Sequence, residues 1–240
     1  MLVEGKNQVE AALKGDMTVE KIYIQRGVNN PPLIDAIKKG RVQYQFVERA
    51  AMDRISKSNN HQGFIAFVTD FKYHLLDDVI AAAQKKNIQP TLLILDGIED
   101  PHNLGNIIRT AECMGVDGII IPKNRAATVN DTAVRVSAGA ASNIKICKVT
   151  NINQIIEHLK KKSFWVYAVE LGGVEISRTN LTGPVVLVMG GENTGVHQLT
   201  RKLCDGIVSI PMFGKTNSLN VNSAAAIALF EVNRQRGCKA

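Results

Sequence analysis

Three polar loops of this sequence each follow an apolar segment with the pattern of a β-strand. They lie in "LDGIEDPHNLGNIIRTAECMG" (Leu95–Gly115), "VVLVMGGENTGVHQLTRKLC" (Val185–Cys204) and "SIPMFGKTNSLNVNSAAAIALFE" (Ser209–Glu231). In parallel α/β sheets, ligands bind beyond the carboxyl ends of the strands. These loops are therefore the expected positions of a functional site.

The first loop is acidic, contains a proline and leads into a helix predicted from about Asn103. Asn103 is the predicted N-cap of that helix, because asparagine is a favoured residue there. Asn106 and Arg109 are three residues apart and share a helix face. Taken alone, this loop fits a capped helix with one solvated arginine better than it fits a binding site.

The second loop begins with two glycines at a strand end, Gly190 and Gly191, and Glu192 follows at once. Glycines at this position let a ligand approach the backbone closely. Gly195 then precedes a helix. An ordinary turn explains this pattern equally well when it stands alone.

The third loop contains "GKT", but it does not fit a phosphate-binding loop. That motif needs a glycine five residues before the GK glycine, where this chain has Ser209, and Pro211 lacks a backbone N–H. No GxGxxG follows a predicted strand either, which argues against dehydrogenases and kinases. Asn217, Ser218 and Asn220 either cap the next helix or bind a ligand at its positive end.

The elements around these loops alternate between strand-like and helix-like segments. Near-continuous apolar runs are typical of parallel strands covered on both faces. The predicted strands here are "TLLILDGI", "GIIIP", "IKICKV", "FWVYAVEL", "PVVLVMG" and "GIVSIP". A smaller α/β pattern precedes them, with helices "NQVEAAL", "PPLIDAIKK" and "AAMDRIS" and strands "KIYIQ", "VQYQFV" and "GFIAFV". We predict an α/β protein with a small domain over residues 1–70 and a larger, mostly parallel domain over residues 71–240.

The composition of the chain indicates which kinds of partner and cellular compartment its function involves. The net charge of +7 in 240 residues favours an anionic partner such as nucleic acid, although it also fits a merely basic soluble protein. No apolar run approaches membrane-spanning length, and no secretory signal is visible. The widely spaced cysteines Cys113, Cys147, Cys204 and Cys238 indicate reduced thiols and a cytoplasmic location. No HExxH or Cys–His pattern indicates a metal site.

Taken in order, "DPHNLGNIIRTA", "LVMGGENTGV" and "SIPMFGKTNSLNVNSAAAIALFE" resemble the three motifs of the SpoU family. These proteins are RNA ribose 2'-O-methyltransferases that use S-adenosylmethionine. The resemblance runs through Leu92–Arg236. The N-terminal segment resembles an L30e-like RNA-binding domain at Gly5 and His61–Gly63, and the whole chain is most similar to the 23S rRNA (guanosine-2'-O-)-methyltransferase branch.

The resemblance implies a fold that the local patterns do not: a deep C-terminal trefoil knot of the SPOUT superfamily, in a homodimer with active sites near the dimer interface. The loops at 190–195 and 210–220 would form the knot. By similarity, the cofactor S-adenosylmethionine contacts Gly190, Ile210 and Leu219. The catalytic residues by similarity are Asn103, Arg109, Glu192, Ser218 and Asn220, with no metal. The third motif departs from the family's usual Asn-Val-Ser, since this chain has Asn222 in place of the serine after Val221.

In the implied reaction, a ribose 2'-hydroxyl attacks the methyl carbon of a sulfonium. Arginine is a poor base because its pKa exceeds about 12. We therefore hypothesise that Arg109 grips the adjacent phosphate and lowers the pKa of the hydroxyl electrostatically. In the N-terminal domain, Lys6, Lys57, Asn60 and His61 either contact RNA or serve as turn and capping residues.

Two alternatives to 23S rRNA methylation remain open from the sequence. One keeps the chemistry and changes the substrate to the ribose of a tRNA. The other is a catalytically silent RNA-binding or resistance-type protein on the same fold, against which the intact set of motif residues argues.

Overall fold

In a computed structural model, the chain divides into two units, Met1–Lys72 and Tyr73–Ala240. The structure describes residues 1–14, 18–40, 42–56, 60–69, 71–86, 89–192, 194–216 and 218–237. Lys57, Asn217 and Cys238 lie outside the described residues. No helix within the described ranges is long and apolar enough to cross a membrane.

The first unit is a four-stranded sheet with helices packed on it. Its strands are β1 (Leu2–Glu4), β2 (Thr18–Gln25), β3 (Gln43–Val47) and β4 (Phe64–Thr69), in the order β1-β4-β2-β3. Its helices are α1 (Lys6–Lys14), α2 (Pro31–Lys39) and α3 (Arg49–Ile55). Only the β2–β3 pair is parallel. Alternate residues of the strands, such as Ile22 and Ile24, pack with α1 and α2 in one apolar core.

The second unit is built on a six-stranded parallel sheet with the order β10-β8-β9-β5-β6-β7. Its strands are β5 (Thr91–Asp96), β6 (Gly118–Pro122), β7 (Ile146–Val149), β8 (Trp165–Glu175), β9 (Val185–Gly190) and β10 (Gly206–Ser209). Its helices are α4 (Leu76–Lys86), α5 (Pro101–Cys113), α6 (Asp131–Val136), α7 (Ile152–Lys161), α8 (Gln198–Leu203) and α9 (Val221–Gln235). The central strands β5 and β9 are buried almost throughout, as their continuous apolar runs predict. The predicted α/β class with a parallel C-terminal sheet is confirmed.

Strand β8 is longer than predicted because its second half pairs with the edge strand β10. Val208 and Ser209 of β10 lie opposite Val174 and Glu175, after a shift of register. A Cβ on Gly173 would lie 2.3 Å from the carbonyl oxygen of Ile207. The glycine therefore allows the two backbones to approach where the ladder is irregular.

Helix α5 begins two residues before the predicted start, and Asn103 is not its N-cap. Asp100 caps the helix instead, accepting hydrogen bonds from the backbone N–H groups of His102 and Asn103 at 3.1 and 3.2 Å. Pro101 occupies the first helical position, where its fixed φ is favourable and its missing N–H costs nothing. The Asn103 side chain is thereby left for other contacts.

Helix α9 is fixed at its end by Arg236. The guanidinium donates to Thr91 Oγ1 at 2.6 Å and to the carbonyl oxygens of Gly183 and Leu181 at 2.8 and 3.3 Å. These groups lie at the amino end of β5 and in the segment leading to β9. The C-terminal helix is thus tied to the two central strands.

The described cysteines differ in their accessibility, which predicts a reactivity order. Burial raises the pKa of the Cys147 thiol to about 12, and burial together with the Asp205 carboxylate raises that of Cys204 to about 12. Cys113 is exposed. Because the thiolate is the reactive form, we expect iodoacetamide at pH 8 to modify Cys113 and spare Cys147 and Cys204, as measured by peptide mass mapping. All three should react in denaturant, and rapid native labelling of Cys147 would contradict the fold.

Candidate active site

The loops that follow β9 and β10 meet at the carboxyl edge of the parallel sheet and line a cavity of about 340 Å³. Its walls include the three residues predicted to hold a cofactor, Gly190, Ile210 and Leu219, and two predicted catalytic residues, Glu192 and Ser218. Apolar side chains such as Met189 and Met212 form much of the remaining wall.

Three of the predicted catalytic residues form a hydrogen-bonded network. Asn103 Nδ2 donates to Glu192 Oε1 at 2.9 Å, and Asn220 Nδ2 donates to the same oxygen at 3.0 Å. Asn220 Nδ2 also lies 3.2 Å from Asn103 Oδ1. Two amides therefore hold one carboxylate in a fixed orientation. Hydrogen bonds to a charged acceptor are among the stronger ones in proteins.

Asn220 has the capping role that the sequence offered, and its amide nitrogen is also part of the network. Its Oδ1 accepts from the backbone N–H of Asn222 at 2.9 Å and so caps α9, while its Nδ2 binds Glu192 and Asn103. Asn222 accepts a hydrogen bond from Thr110 Oγ1 of α5 at 2.7 Å. Asn222, which departs from the usual third motif, therefore joins the start of α9 to α5.

The Glu192 loop is held by two carboxylates from the strands on either side of β9. Glu170, in β8, accepts from the Val196 backbone N–H at 2.7 Å. Asp96, at the end of β5, accepts from the next N–H, that of His197, at 3.0 Å, and contacts His197 Nδ1 at 2.9 Å. Both acids are largely buried, with side chains 17% and 7% exposed. Consecutive amides are thus bound from opposite sides.

Two glycines make this closure possible. A Cβ on Gly190 would lie 2.0 Å from the Gly195 carbonyl carbon, and one on Gly195 would lie 2.4 Å from Glu170 Oε1. Gly195 also has a φ of +62°, which L side chains rarely adopt. Larger residues at either position would displace the loop that lines the cavity.

Arg109 stands apart from the network. It lies six residues after Asn103 on α5, about 9 Å along the helix axis. It is exposed, and its side chain has no hydrogen bond or ion pair with the residues that the structure describes. The structure therefore brings together Asn103, Glu192 and Asn220, places Ser218 in the cavity wall, and leaves Arg109 outside.

The sequence interpretation missed Asp96 and Glu170. Both carry a signal, since each is an acid near the end of an apolar strand, in "TLLILD" and "WVYAVE". A carboxylate emerging from a buried strand needs hydrogen-bond donors. The donors that these carboxylates bind belong to the folded loop after β9, and the sequence does not show how that loop folds.

In the first unit, the structure favours the turn role for His61 over the RNA-contact role. His61 is 6% exposed, with Nε2 3.0 Å from Asp53 Oδ1 and Nδ1 accepting from the Gly63 N–H at 3.0 Å. Both ring nitrogens are thus engaged. Lys6 and Asn60 are exposed, and Asn60 lines a polar cavity of about 410 Å³ with Gly5.

Comparison with known proteins places this site in a family. The sequence model of the SpoU rRNA Methylase family matches residues 90–230. A second model, described as RNA 2'-O ribose methyltransferase substrate binding, matches residues 2–74.

Relatives that match nearly the whole of this chain give the same assignment. Putative TrmH family tRNA/rRNA methyltransferase YacO of Bacillus subtilis is 38% identical over 98% of this chain and 95% of its own length. The uncharacterized tRNA/rRNA methyltransferase slr0955 of Synechocystis is also 38% identical, but the chain spans only 63% of that longer protein.

Solved structures share the fold. The AdoMet-bound rRNA methyltransferase from Sinorhizobium meliloti aligns with a TM-score of 0.62 at 25% identity, over 97% of this chain and 86% of that one. The SpoU methyltransferase AviRb from Streptomyces viridochromogenes, in complex with AdoMet, aligns at 0.63 and 23% identity over 98% of this chain and 90% of its own. The family predicted from the three motifs is confirmed, and the chain belongs to the SpoU RNA methyltransferase family.

Proposed function

We propose that this protein transfers a methyl group from S-adenosylmethionine to the 2'-hydroxyl of a ribose, on a guanosine of 23S rRNA in the cytoplasm. The observation that carries the proposal is the Asn103–Glu192–Asn220 network beside the cavity of Gly190, Ile210 and Leu219. Relatives named as tRNA/rRNA methyltransferases support the substrate class, and an AdoMet-bound structural neighbour supports the cofactor.

The cavity fits an adenosyl ligand. Gly190 exposes its backbone at the strand end, and Ile210, Leu219 and the two methionines supply apolar walls for a purine ring. When bound, S-adenosylmethionine supplies an electrophilic methyl group on a sulfonium. The chain's contribution is to hold the cofactor and the ribose in line, since orientation alone lowers the barrier of such a reaction substantially.

Glu192 is the residue best placed to orient the ribose hydroxyl. Both amide hydrogen bonds go to its Oε1, and Oε2 has no hydrogen bond to a described residue. The second oxygen can therefore accept a hydrogen bond from the substrate. Arg109, exposed and without an ion pair among the described residues, suits the phosphate-gripping role that we hypothesise for it.

The knot and the homodimer belong to the same proposal. Strand β10 lies at the sheet edge, yet the following segment lines the same cavity as the Gly190 loop and leads to α9, which packs on α5. The chain therefore returns from the edge strand to the middle of the sheet, which supports a knot in which the segment after β10 passes through the Gly190 loop. On α9, Ile227 and Phe230 are 41% and 59% exposed, which supports burial of that face in a dimer.

Mapping of ribose methylation tests the reaction and the substrate together. Total 23S rRNA and tRNA from cells lacking this protein would be incubated with it and S-adenosylmethionine, and the products analysed by mass spectrometry. One new 2'-O-methylguanosine in 23S rRNA is expected. A mark in tRNA alone would move the substrate to the tRNA alternative, and no mark with no cofactor binding would exclude the enzyme.

Substitution of Gly190 tests the cofactor site. We expect Gly190→Ala to weaken S-adenosylmethionine binding at least tenfold in calorimetry, because the new Cβ would collide with the Gly195 backbone. Gly214→Ala is the matched control, since its Cβ meets nothing within 4 Å. Equal affinity of the Gly190 variant and wild type would place the cofactor elsewhere.

Substitution of the network tests the catalytic assignment. We expect Glu192→Gln to lower kcat by about 100-fold, the scale seen when a preorganised polar group is removed from an active site. The dissociation constant for S-adenosylmethionine should change less than about threefold. Glu157→Gln, an exposed glutamate on α7, is the control and should retain full activity, while an active Glu192 variant would refute the role.

The dimer prediction is tested on α9. We expect wild-type protein to have twice the 26.2 kDa mass of the chain in light scattering, and Phe230→Glu to have the monomer mass, because a charge would be buried at the interface. Leu75→Glu, at a residue 74% exposed outside α9, is the control. A monomeric wild type would contradict the prediction.

A further inference from the structure

The loop between β6 and α6, residues 123–130, presents two cations at the carboxyl edge of the parallel sheet. Arg125 is exposed and Lys123 is half-buried. Within the parts of the chain that the structure describes, neither side chain has an ion pair or a hydrogen bond. By contrast, Lys160, Arg201, Arg234 and Arg236 of the second unit all have partners within it.

This β6–α6 loop is hydrogen-bonded to the segment between β5 and α5. The Ala127 N–H donates to the Ile98 carbonyl oxygen at 2.6 Å. Ile98 lines a pocket of about 240 Å³ together with Asn103 and Glu192. Arg125 is two residues from Ala127, and two residues span at most about 7 Å. Arg125 therefore lies on a loop that is hydrogen-bonded to the segment lining this pocket.

The loop is also supported on its other sides. The Lys123 N–H donates to the Val149 carbonyl oxygen at 2.8 Å, and Tyr73 Oη accepts from the Val129 N–H at 2.8 Å. Asn130 then caps α6 by accepting from the Ala133 N–H at 3.0 Å. The side chains are thus carried by a fixed backbone, as a recognition element requires.

Arg125 has a φ of +54°, in the left-handed region that glycine adopts freely and arginine rarely does. Among the described residues, no hydrogen bond or ion pair of the Arg125 side chain compensates for this backbone conformation. Strained backbone positions of this kind concentrate at functional sites. The strain, the exposure and the missing partner all point to a ligand outside the chain.

We propose that Lys123 and Arg125 bind phosphates of the RNA strand that flank the target nucleotide. Guanidinium binds phosphate in a bidentate manner, and the lysine supplies a point charge. The proposal rests on the proposed function, and adds how the RNA strand is held across the active-site edge. It assigns the two residues to substrate binding and not to the chemical step.

The test compares two pairs of variants. Lys123→Ala with Arg125→Gly removes both cations, and glycine at 125 relieves the backbone conformation, so the thermal midpoint should not fall. Lys161→Ala with Lys162→Ala is the matched control. Those two lysines are exposed and stand before β8, at the opposite edge of the sheet.

Binding of total rRNA from cells lacking the protein is measured by filter binding between 50 and 200 mM salt. We expect the loop variant to bind about 10- to 100-fold more weakly, with the slope of log affinity against log salt reduced by about 1.5 to 2. The KM for rRNA should rise in proportion, while kcat and the S-adenosylmethionine dissociation constant stay within about threefold. The control pair should resemble wild type.

Two outcomes would overturn the inference while leaving the proposed function intact. In the first, the wild-type enzyme is active and the loop variant binds rRNA as tightly as wild type. In the second, the control pair loses as much rRNA affinity as the loop variant. Wild-type protein that transfers no methyl group to rRNA or tRNA would overturn the proposed function and this inference together.

Discussion

The loop between β9 and α8 is fixed because two buried carboxylates need donors and two backbone N–H groups need acceptors. Glu170 and Asp96 extend from the strands that flank β9 and bind the successive amides of Val196 and His197. An unpaired carboxylate in this position would be costly, so the loop and the strands stabilise one another. The glycines at 190 and 195 allow the close approach. The cavity wall that includes Gly190 and Glu192 follows from this closure.

The network above that loop depends on three segments arriving in register. Asn103 and Asn220 are separated from Glu192 by 89 and 28 residues, and from each other by 117. Asp100 caps α5 and so frees Asn103, while Asn220 caps α9 with one atom and binds Glu192 with another. Arg236 and the Thr110–Asn222 contact hold α9 in place. Capping and site assembly therefore use the same residues.

Much of the fold could be predicted from the sequence, because parallel strands such as "TLLILD" are apolar throughout and the helices have clear ends. The predicted N-cap of α5, Asn103, was wrong because Asp100 and Pro101 together make a stronger helix start. The length of β8 depends on its pairing with β10, and the partners of Asp96 and Glu170 depend on tertiary structure. The network joins distant residues that no local spacing reveals, so only the ordered motifs indicated that they act together. The roles of the individual residues stay predictions.

We propose that this closed loop and the network beside it form one site for an adenosyl ligand and a reacting ribose. A crystal structure of the chain with S-adenosylhomocysteine tests it most directly. We expect the adenosyl group to lie between the Gly190 loop and the Ile210–Leu219 segment, with its sulfur facing the Glu192 carboxylate. Ligand bound at another surface, or its sulfur directed away from Glu192 and Asn220, would contradict this assignment of the site.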